Sequence, residues 1–174
     1  AAVPASNLKP HTHLTTDAAD RLYHARDQSL PDWVALRSGR IDAFPAGVAY
    51  PTSDDDIRSL YDYALKTGTK LIPFGGGTSV VGHINPRPID PPTLTVDLIH
   101  LNRLLDLDEM SRLATFEAGV NGPDIERHLQ ARGYTLGHYP QSWELSTLGG
   151  WIVTRSSGQQ SYHYGRIEDL RAAA

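Results

Sequence analysis

The strongest hydrophobic pattern in the chain lies between residues 47 and 74. Apolar residues at positions 57, 60, 61, 64 and 65 recur with the spacing of an amphipathic helix. Short apolar runs flank that segment at Val48–Tyr50 and Lys70–Phe74, and each has the length of a buried strand. The stretch therefore predicts a β-α-β unit with parallel strands and a right-handed crossover.

Both ends of the predicted helix carry boundary residues. Thr52 or Ser53 can cap the first turn, where the carboxylates of Asp54–Asp56 lie at the positive end of the helix dipole. Gly68 is placed to end the helix.

Two groups of residues also have the chemistry of metal ligands. Asp54–Asp56 could suggest a divalent cation, but helix capping accounts for all three carboxylates. His11 and His13 form a His-x-His pair, and no third ligand stands at a suitable spacing. We therefore predict no metal site.

The rest of the chain carries weaker patterns. Residues 1–45 are mixed and polar, and we predict an N-terminal arm whose one short helix begins at Pro31 and ends at Gly39. Residues 46–171 are predicted to form one α+β domain. After the β-α-β unit we predict an irregular connection at 83–92 and a strand at 93–98. Two further strands, at 103–107 and 113–118, are predicted to form a hairpin, and a helix is predicted between Pro123 and Gly133.

Composition narrows the class of protein without identifying it. The chain has 174 residues, a formal net charge of −4 and a pI near 6.0, so it lacks the basic field that attracts nucleic acid or an anionic membrane. Cysteine is absent, which excludes disulfides and thiolate nucleophiles. No run is long enough to span a membrane, and the first residues lack the layout of a signal peptide. We therefore expect a soluble, cytoplasmic protein.

Three consecutive glycines follow the second predicted strand, in the sequence Pro73-Phe74-Gly75-Gly76-Gly77-Thr78-Ser79. Without Cβ atoms the turn can adopt positive φ, and its N–H groups can converge on an anion such as a diphosphate. No lysine follows the last glycine as in a Walker A motif, and Val80 stands where a Rossmann fingerprint needs a small residue. A dinucleotide would need another architecture here, and the alternative is a flexible loop without a ligand.

A second stretch, residues 137–158, is rich in small and hydroxyl residues. Hydroxyl groups in a packed segment need hydrogen-bond partners, and small side chains let the main chain approach a flat ring closely. Leu148, Trp151, Ile152 and Val153 lie among them, which favours an ordered segment over a linker. We interpret this stretch as a second ligand-binding segment.

Together the two stretches resemble the vanillyl-alcohol-oxidase-type (PCMH-type) FAD-binding domain, and within it the alkyldihydroxyacetonephosphate synthase branch. Residues 73–79 resemble the diphosphate loop of that family. Residues 140–151 (PQSWELSTLGGW), 154–158 (TRSSG) and 164–170 (YGRIEDL) resemble three further blocks of the branch. The resemblance spans roughly residues 46–170 and implies a PCMH-type fold, in which a mixed sheet with the β-α-β unit packs against a second α/β subdomain.

The resemblance also implies which residues hold FAD. The diphosphate would be enclosed by Pro73, Phe74, Gly75, Gly76, Gly77, Thr78 and Ser79. The flavin and its ribityl chain would be lined by Gln141, Ser142, Trp143, Glu144, Leu145, Ser146, Thr147, Thr154, Arg155, Ser156 and Ser157.

Some positions depart from the family pattern. Gln141 replaces the usual aspartate. Some relatives tether the flavin through a histidine in or just after the glycine loop, where this chain has Thr78 and Ser79, so non-covalent FAD is expected. Arg155, the one Lys or Arg of the second stretch, either lies near the flavin or forms a surface salt bridge.

The function implied is that of the FAD-binding part of an ether-lipid-forming flavoenzyme, which exchanges an acyl for an alkyl group through a flavin N5 adduct. An FAD-dependent 2-hydroxyacid dehydrogenase, of the D-lactate or glycolate type, is the alternative enzyme, and Trp151 with residues 154–157 favours the synthase branch. A third hypothesis is a truncated fragment without tight flavin binding.

The family's flavin domain continues beyond residue 170, and a cap domain with the catalytic residues follows it. We therefore expect this chain to be C-terminally incomplete, with its catalytic residues elsewhere. The expected partners are FAD and, through the cap, a small-molecule or lipid-like substrate. Nucleic acid is not expected, and a homodimer is left open.

Overall fold

The computed structural model of the protein describes residues 2–172, and the chain divides between His100 and Leu101 into two compact units. Unit 1 contains β1 (Leu14–Thr15), α1 (Ala18–Tyr23), α2 (Leu30–Ser38), β2 (Gly47–Ala49), α3 (Asp54–Thr67), β3 (Lys70–Phe74) and β4 (Thr93–Asp97). Unit 2 contains β5 (Leu104–Asp108), β6 (Leu113–Phe116), α4 (Gly122–Gln130), α5 (Leu148–Thr154), α6 (Ser161–Tyr164) and α7 (Ile167–Leu170).

A four-stranded sheet in the order β1-β2-β4-β3 forms the centre of unit 1. Strands β2, β4 and β3 are parallel, and β1 pairs antiparallel with β2. The parallel direction predicted for the β-α-β unit is confirmed, but β4 lies between its two strands. Every residue of β4 is buried, which is typical of a central strand in a parallel sheet.

Helix α3 packs against this sheet and has the predicted caps. The Ser53 hydroxyl accepts a hydrogen bond from the Asp56 N–H, and Gly68 ends the helix with φ of +68°. Leu60 and Tyr63 enter the core of the unit. Their buried partners are Ala49, Leu94 and Val96.

The predicted apolar face of α3 is wrong at two positions. Tyr61 and Leu65 are 60% and 83% exposed, whereas Tyr63, which the pattern did not include, is buried. The Tyr63 hydroxyl donates to the Lys9 carbonyl at 2.9 Å, and Leu8 packs on the same core cluster. The buried face is therefore shifted towards the segment that precedes β1.

Residues 1–45 contain more structure than the single helix predicted for them. Helix α2 is capped by Ser29 and ends at Gly39 as expected, but β1 and α1 were not predicted because both are short and polar. Buried Arg21 of α1 donates to the carbonyls of Pro45 and Pro4 at 2.7 and 2.6 Å. The division into an N-terminal arm at residues 1–45 and an FAD-binding domain at residues 46–171 stays a prediction.

Unit 2 combines the predicted hairpin with four helices. Strands β5 and β6 pair antiparallel, as expected. Asn121 caps α4, whose last helical residue, Gln130, lies three positions before the predicted stop at Gly133. The core of the unit consists of Val120, Ile125, Leu129, Trp151 and Ile167.

Among residues 2–172, no helix is long and apolar enough to cross a membrane.

Candidate functional site

The glycine loop, residues 75–79, follows the last residue of β3 in unit 1. Strand β3 lies at an edge of the sheet, where a proline such as Pro73 is tolerated. Phe74 is buried with Ile72 and Ile84, and its carbonyl accepts a hydrogen bond from the Leu98 N–H at 3.0 Å. The upstream end of the loop is therefore fixed by both packing and the main chain.

Gly77 is the position at which the loop requires glycine. Of the three glycines, Gly77 alone has positive φ, at +64°. The positive φ that the sequence allows along the whole run therefore occurs at one position. A Cβ on Gly77 would lie 2.5 Å from Cζ of Phe74. The loop thus folds directly over the phenylalanine ring, and a side chain at this position would meet it.

The glycine loop presents unused main-chain donors. Within residues 2–172, no N–H group from residue 75 to residue 80 donates a hydrogen bond in a turn, in a loop or to a side chain. Exposed or half-buried consecutive N–H groups at the end of a strand form a site that suits an anion. The loop residues therefore fit a diphosphate, and the donors that would hold it belong to the main chain.

The downstream end of the loop is held by Asp27, a fully buried residue of the N-terminal region. Its carboxylate accepts hydrogen bonds from the Ser79 hydroxyl at 3.1 Å and from the Gly82 N–H. The Gln28 N–H donates to the Ser79 carbonyl at 2.7 Å. Because the Ser79 hydroxyl donates its hydrogen bond to Asp27, it is not a free donor for a ligand, and Ser79 instead anchors the loop.

A buried histidine supports the loop from the same N-terminal region. His24 packs its ring against Phe74 with centroids 4.4 Å apart. Its Nε2 lies 2.9 Å from Oδ2 of Asp97, at the end of β4, and its Nδ1 lies 2.7 Å from the Asp20 carbonyl. The ring is thereby fixed by α1 on one side and by the sheet on the other.

In unit 2 the two predicted flavin segments, residues 141–147 and 154–157, are joined by α5. An antiparallel bridge between Pro140 and Gly158 closes the ends of this stretch, and the Gln159 N–H donates to the Tyr139 carbonyl at 3.1 Å. The interpretation of residues 137–158 as an ordered segment is confirmed by this geometry.

Most hydroxyl groups of that stretch find partners within unit 2. Ser146 accepts from Nε1 of Trp151 at 2.7 Å and donates to the Ser142 carbonyl at 2.8 Å. Thr154 donates to the Gly150 carbonyl at 2.7 Å. Thr147 caps α5, and Ser156 lies 2.7 Å from Nε2 of His138. The abundance of hydroxyls therefore does not by itself require a ligand, and the assignment of these residues to the flavin stays a prediction.

Trp143 has a packing role in the same stretch. Its ring lies so close to Gly122 that a Cβ there would come within 2.2 Å of Nε1. The residues left exposed on the predicted segments are Gln141, Ser142, Glu144, Leu145, Thr154, Arg155 and Ser157.

Arg155 has the contacts of a surface residue. Its Nε lies 3.8 Å from Oε2 of Glu168, and the arginine side chain is 79% exposed. It ends α5 in the left-handed conformation, with φ of +52°. An ion pair this exposed contributes little to stability.

Sequence reasoning missed the buried polar residues that shape both units. Asp27 and His24 lie in the stretch predicted as an arm, where short polar segments gave no periodic pattern. In unit 2, Glu126 accepts from the N–H groups of Leu136 and Gly137 at 3.0 and 3.3 Å. Burial lowers the pKa of His138, and within the described residues its Nδ1 has no hydrogen-bond partner.

No group of three or more His, Asp or Glu residues within the described part of the chain could hold a metal ion. His13 lies 3.0 Å from Asp56, and His11 lies 3.0 Å from the Ser59 hydroxyl. Both histidines of the His-x-His pair therefore contact α3.

Comparison with known proteins places this geometry in a family. A family model described as an FAD binding domain matches residues 45–173. The alkyldihydroxyacetonephosphate synthase of Trypanosoma brucei brucei is 40% identical over 156 residues, which cover 88% of this chain and 25% of that protein. A solved structure of alkyldihydroxyacetonephosphate synthase is 38% identical, with a TM-score of 0.86 over 90% of this chain and 30% of that one.

A more distant relative represents the alternative enzyme class. Mitochondrial D-lactate dehydrogenase [cytochrome] 1 of Saccharomyces cerevisiae is 28% identical over 126 residues, which cover 72% of this chain and 21% of that protein. The chain spans about a quarter of the length of the curated synthase it matches. These similarities confirm the predicted PCMH-type fold and FAD as the cofactor. The chain belongs to the family of FAD binding domains.

Proposed function

We propose that the protein carrying this chain is an enzyme of the alkyldihydroxyacetonephosphate synthase type, which exchanges the acyl group of an acyl-dihydroxyacetone phosphate for the alkyl group of a fatty alcohol. The observation that carries the proposal is the 38% identity and TM-score of 0.86 to the solved synthase. The D-lactate dehydrogenase relative is 28% identical and matches less of the chain. Because this chain spans a quarter of such a synthase, the substrate would be bound mostly by other parts of the protein.

The proposed task of unit 1 is to bind the diphosphate of FAD. The free N–H groups of residues 75–80 would donate to its oxygens, and no lysine or arginine lies in that stretch. Main-chain donors suit this role because they are fixed by the fold and need no side-chain ordering on binding. Gly77 keeps the loop close to Phe74, and a side chain there would displace it.

The proposed task of unit 2 is to contact the flavin through residues 141–147 and 154–157. Gln141, Glu144 and Leu145 are exposed on a turn in which the internal bonds of Ser146 hold the main chain. Bound FAD supplies the chemistry of the exchange, and the protein positions the ring and sets its surroundings.

We propose that FAD is held without a covalent bond. The chain has no cysteine, and residues 75–79 contain no histidine. The nearest histidine after the loop is His83, whose side chain is exposed. A cytoplasmic location remains part of the proposal, and a homodimer remains open; subcellular fractionation and light scattering would test them.

The test is an exchange assay on the purified protein at its natural length. Acyl-dihydroxyacetone phosphate and a radiolabelled fatty alcohol are supplied, and the label is expected to appear in alkyl-dihydroxyacetone phosphate. Flavin-stripped protein is the control and should transfer no label until FAD is restored. Oxidation of D-lactate with an artificial electron acceptor, in the absence of exchange, would overturn the proposal in favour of the dehydrogenase class.

A further inference from the structure

We infer that Asp27 is a positioning residue for the diphosphate loop: its buried carboxylate gathers the donors at the downstream end of the loop and so leaves the preceding N–H groups free for FAD. The inference rests on the proposed binding of FAD by residues 75–80. It makes the N-terminal segment part of the cofactor site, although the predicted FAD-binding domain begins at residue 46.

The contacts of Asp27 join three parts of unit 1. Its carboxylate accepts from the Ser29 N–H at 2.9 Å, from the Ser79 hydroxyl at 3.1 Å and from the Gly82 N–H. Its own N–H donates to Oδ1 of Asn85 at 2.8 Å. One side chain thus links the start of α2 to both ends of the segment from residue 79 to residue 82.

The chemistry of a carboxylate explains why aspartate suits this place. An ionised carboxylate only accepts hydrogen bonds, and Asp27 faces three N–H or O–H donors together with the carboxyl of Asp32. An asparagine of the same size would turn an NH₂ group towards at least one of those donors. A donor would then lose its acceptor, which is unfavourable at a buried position.

The ionised state is consistent with the surroundings of Asp27. Burial alone would raise the pKa of this carboxyl, but the hydrogen bonds from its neighbours, those of Asp32, Ser29, Gly82 and Ser79, hold the pKa below its usual value. Burial and the adjacent Asp27 raise the pKa of Asp32, which Arg26 faces at 3.6 Å. Asp27 is therefore the more acidic carboxyl of the pair.

A buried carboxylate next to the proposed diphosphate site would repel the ligand, so its role must lie in the loop that it holds in place. The Phe74 carbonyl fixes one end of the loop to the Leu98 N–H, and Asp27 with the Gln28 N–H fixes Ser79 at the other. Between these anchors, the N–H groups of residues 75–78 donate to no other group within residues 2–172. Loss of the Asp27 anchor should therefore weaken binding of the diphosphate in addition to any effect on stability.

The experiment compares Asp27→Asn, Ser79→Ala and the double variant in the protein at its natural length, with Asp55→Asn as the control. Asp55 lies in unit 1 with a 90% exposed side chain, so its charge is removed without touching the loop. Binding of FAD to flavin-stripped protein is measured by quenching of flavin fluorescence. Competition by ADP, which carries a diphosphate, and by adenosine, which does not, shows whether any loss of affinity lies at the diphosphate.

We expect Asp27→Asn to weaken FAD and ADP binding by about tenfold or more, and adenosine binding by less than about twofold. Ser79→Ala should weaken FAD binding less, and the double variant should be no weaker than Asp27→Asn, because both changes break the same hydrogen bond. If Asp27→Asn does not fold, Ser79→Ala decides, since it keeps the carboxylate and removes one donor. Asp55→Asn should bind as the unmodified protein does.

Equal affinity of Asp27→Asn and the unmodified protein for FAD would overturn the inference and leave the cofactor assignment intact. An equal loss of ADP and adenosine binding, together with a lower melting temperature, would reduce Asp27 to a general role in stability and would also overturn it. If the unmodified protein binds no FAD, the assignment of the loop to the diphosphate itself fails.

Discussion

At the scale of single residues, the glycine loop depends on one contact and one torsion angle. Gly77 has positive φ, and the space that a Cβ would occupy there is filled by the Phe74 ring. Phe74 is held in turn by Ile72, Ile84 and the ring of His24. The shape of the glycine loop is thus set by packing beneath it.

Replacing Gly77 by alanine should weaken FAD binding by about tenfold or more, because the new methyl group displaces the loop and its N–H groups. It should also lower the free energy of unfolding by about 1–2 kcal/mol through left-handed strain. Titration of flavin-stripped protein with FAD and thermal unfolding measure the two effects.

Gly68→Ala is the matched control for that variant. Gly68 has φ of +68°, close to that of Gly77, but a Cβ there would meet nothing within 4 Å. It should therefore lose only the stability that left-handed strain costs, roughly 1 kcal/mol, and keep full affinity for FAD. Equal FAD affinity in Gly77→Ala and Gly68→Ala would show that the contact with Phe74 has no bearing on the cofactor.

At the scale of elements, α3 shows how local chemistry fixes a helix start. Asp56 accepts from both the N–H and the hydroxyl of Thr52 at 2.8 Å, and Nε2 of His13 lies 3.0 Å away. These hydrogen bonds, chiefly those from Thr52, lower the pKa of Asp56 to about 2. A lowered pKa means that the ionised carboxylate favours the folded state.

The pH dependence of Asp56 follows from that direction. Its stabilisation is present above the ordinary carboxyl pKa of 3.8 and is lost as the pH falls through about 2. Unfolding by denaturant should therefore show Asp56→Asn less stable than the unmodified protein at pH 6, with the difference shrinking between pH 4 and pH 2. Asp54→Asn, in the same helical turn, controls for the general effect of removing a charge. A constant difference across this range would contradict the assignment.

The contrast between α3 and the loop anchor explains what the sequence could and could not predict. Ser53 and Gly68 act within one turn of the helix they bound, so the helix, its caps and strand β3 followed from local residue types. The position of β4 between β2 and β3 and the contact between Asp27 and Ser79 join residues far apart in the chain. No periodicity encodes such pairs, and a polar segment such as residues 17–29 gives no sign that one of its carboxylates is buried.

The second stretch illustrates a different limit. The ordered segment predicted from Leu148, Trp151, Ile152 and Val153 is confirmed, but packing explains several of the small and hydroxyl residues that were interpreted as ligand-binding. The Ser146 hydroxyl accepts a hydrogen bond from Nε1 of Trp151, and a Cβ on Gly149 would lie 2.9 Å from the Cβ of Ala118. Small and hydroxyl residues suit both a ligand site and a tightly packed turn, so their presence in a sequence does not distinguish one from the other.

At the scale of the whole molecule, the match to an FAD binding domain covers residues 45–173 and so includes parts of both units. Unit 1 carries the free main-chain donors, and unit 2 carries the exposed turn at residues 141–145. The chain covers a quarter of the synthase relative. What this chain itself must do is bind FAD.

Hydrogen exchange of the main-chain amides, measured with and without FAD in the protein at its natural length, tests that binding most directly. The N–H groups of residues 75–80 have no acceptor within the described residues, so they should exchange fast without FAD and markedly slower with it. Amides of the β5–β6 hairpin serve as an internal reference. Saturation with FAD that leaves exchange at residues 75–80 unchanged would contradict the central claim that the main chain of this loop holds the diphosphate.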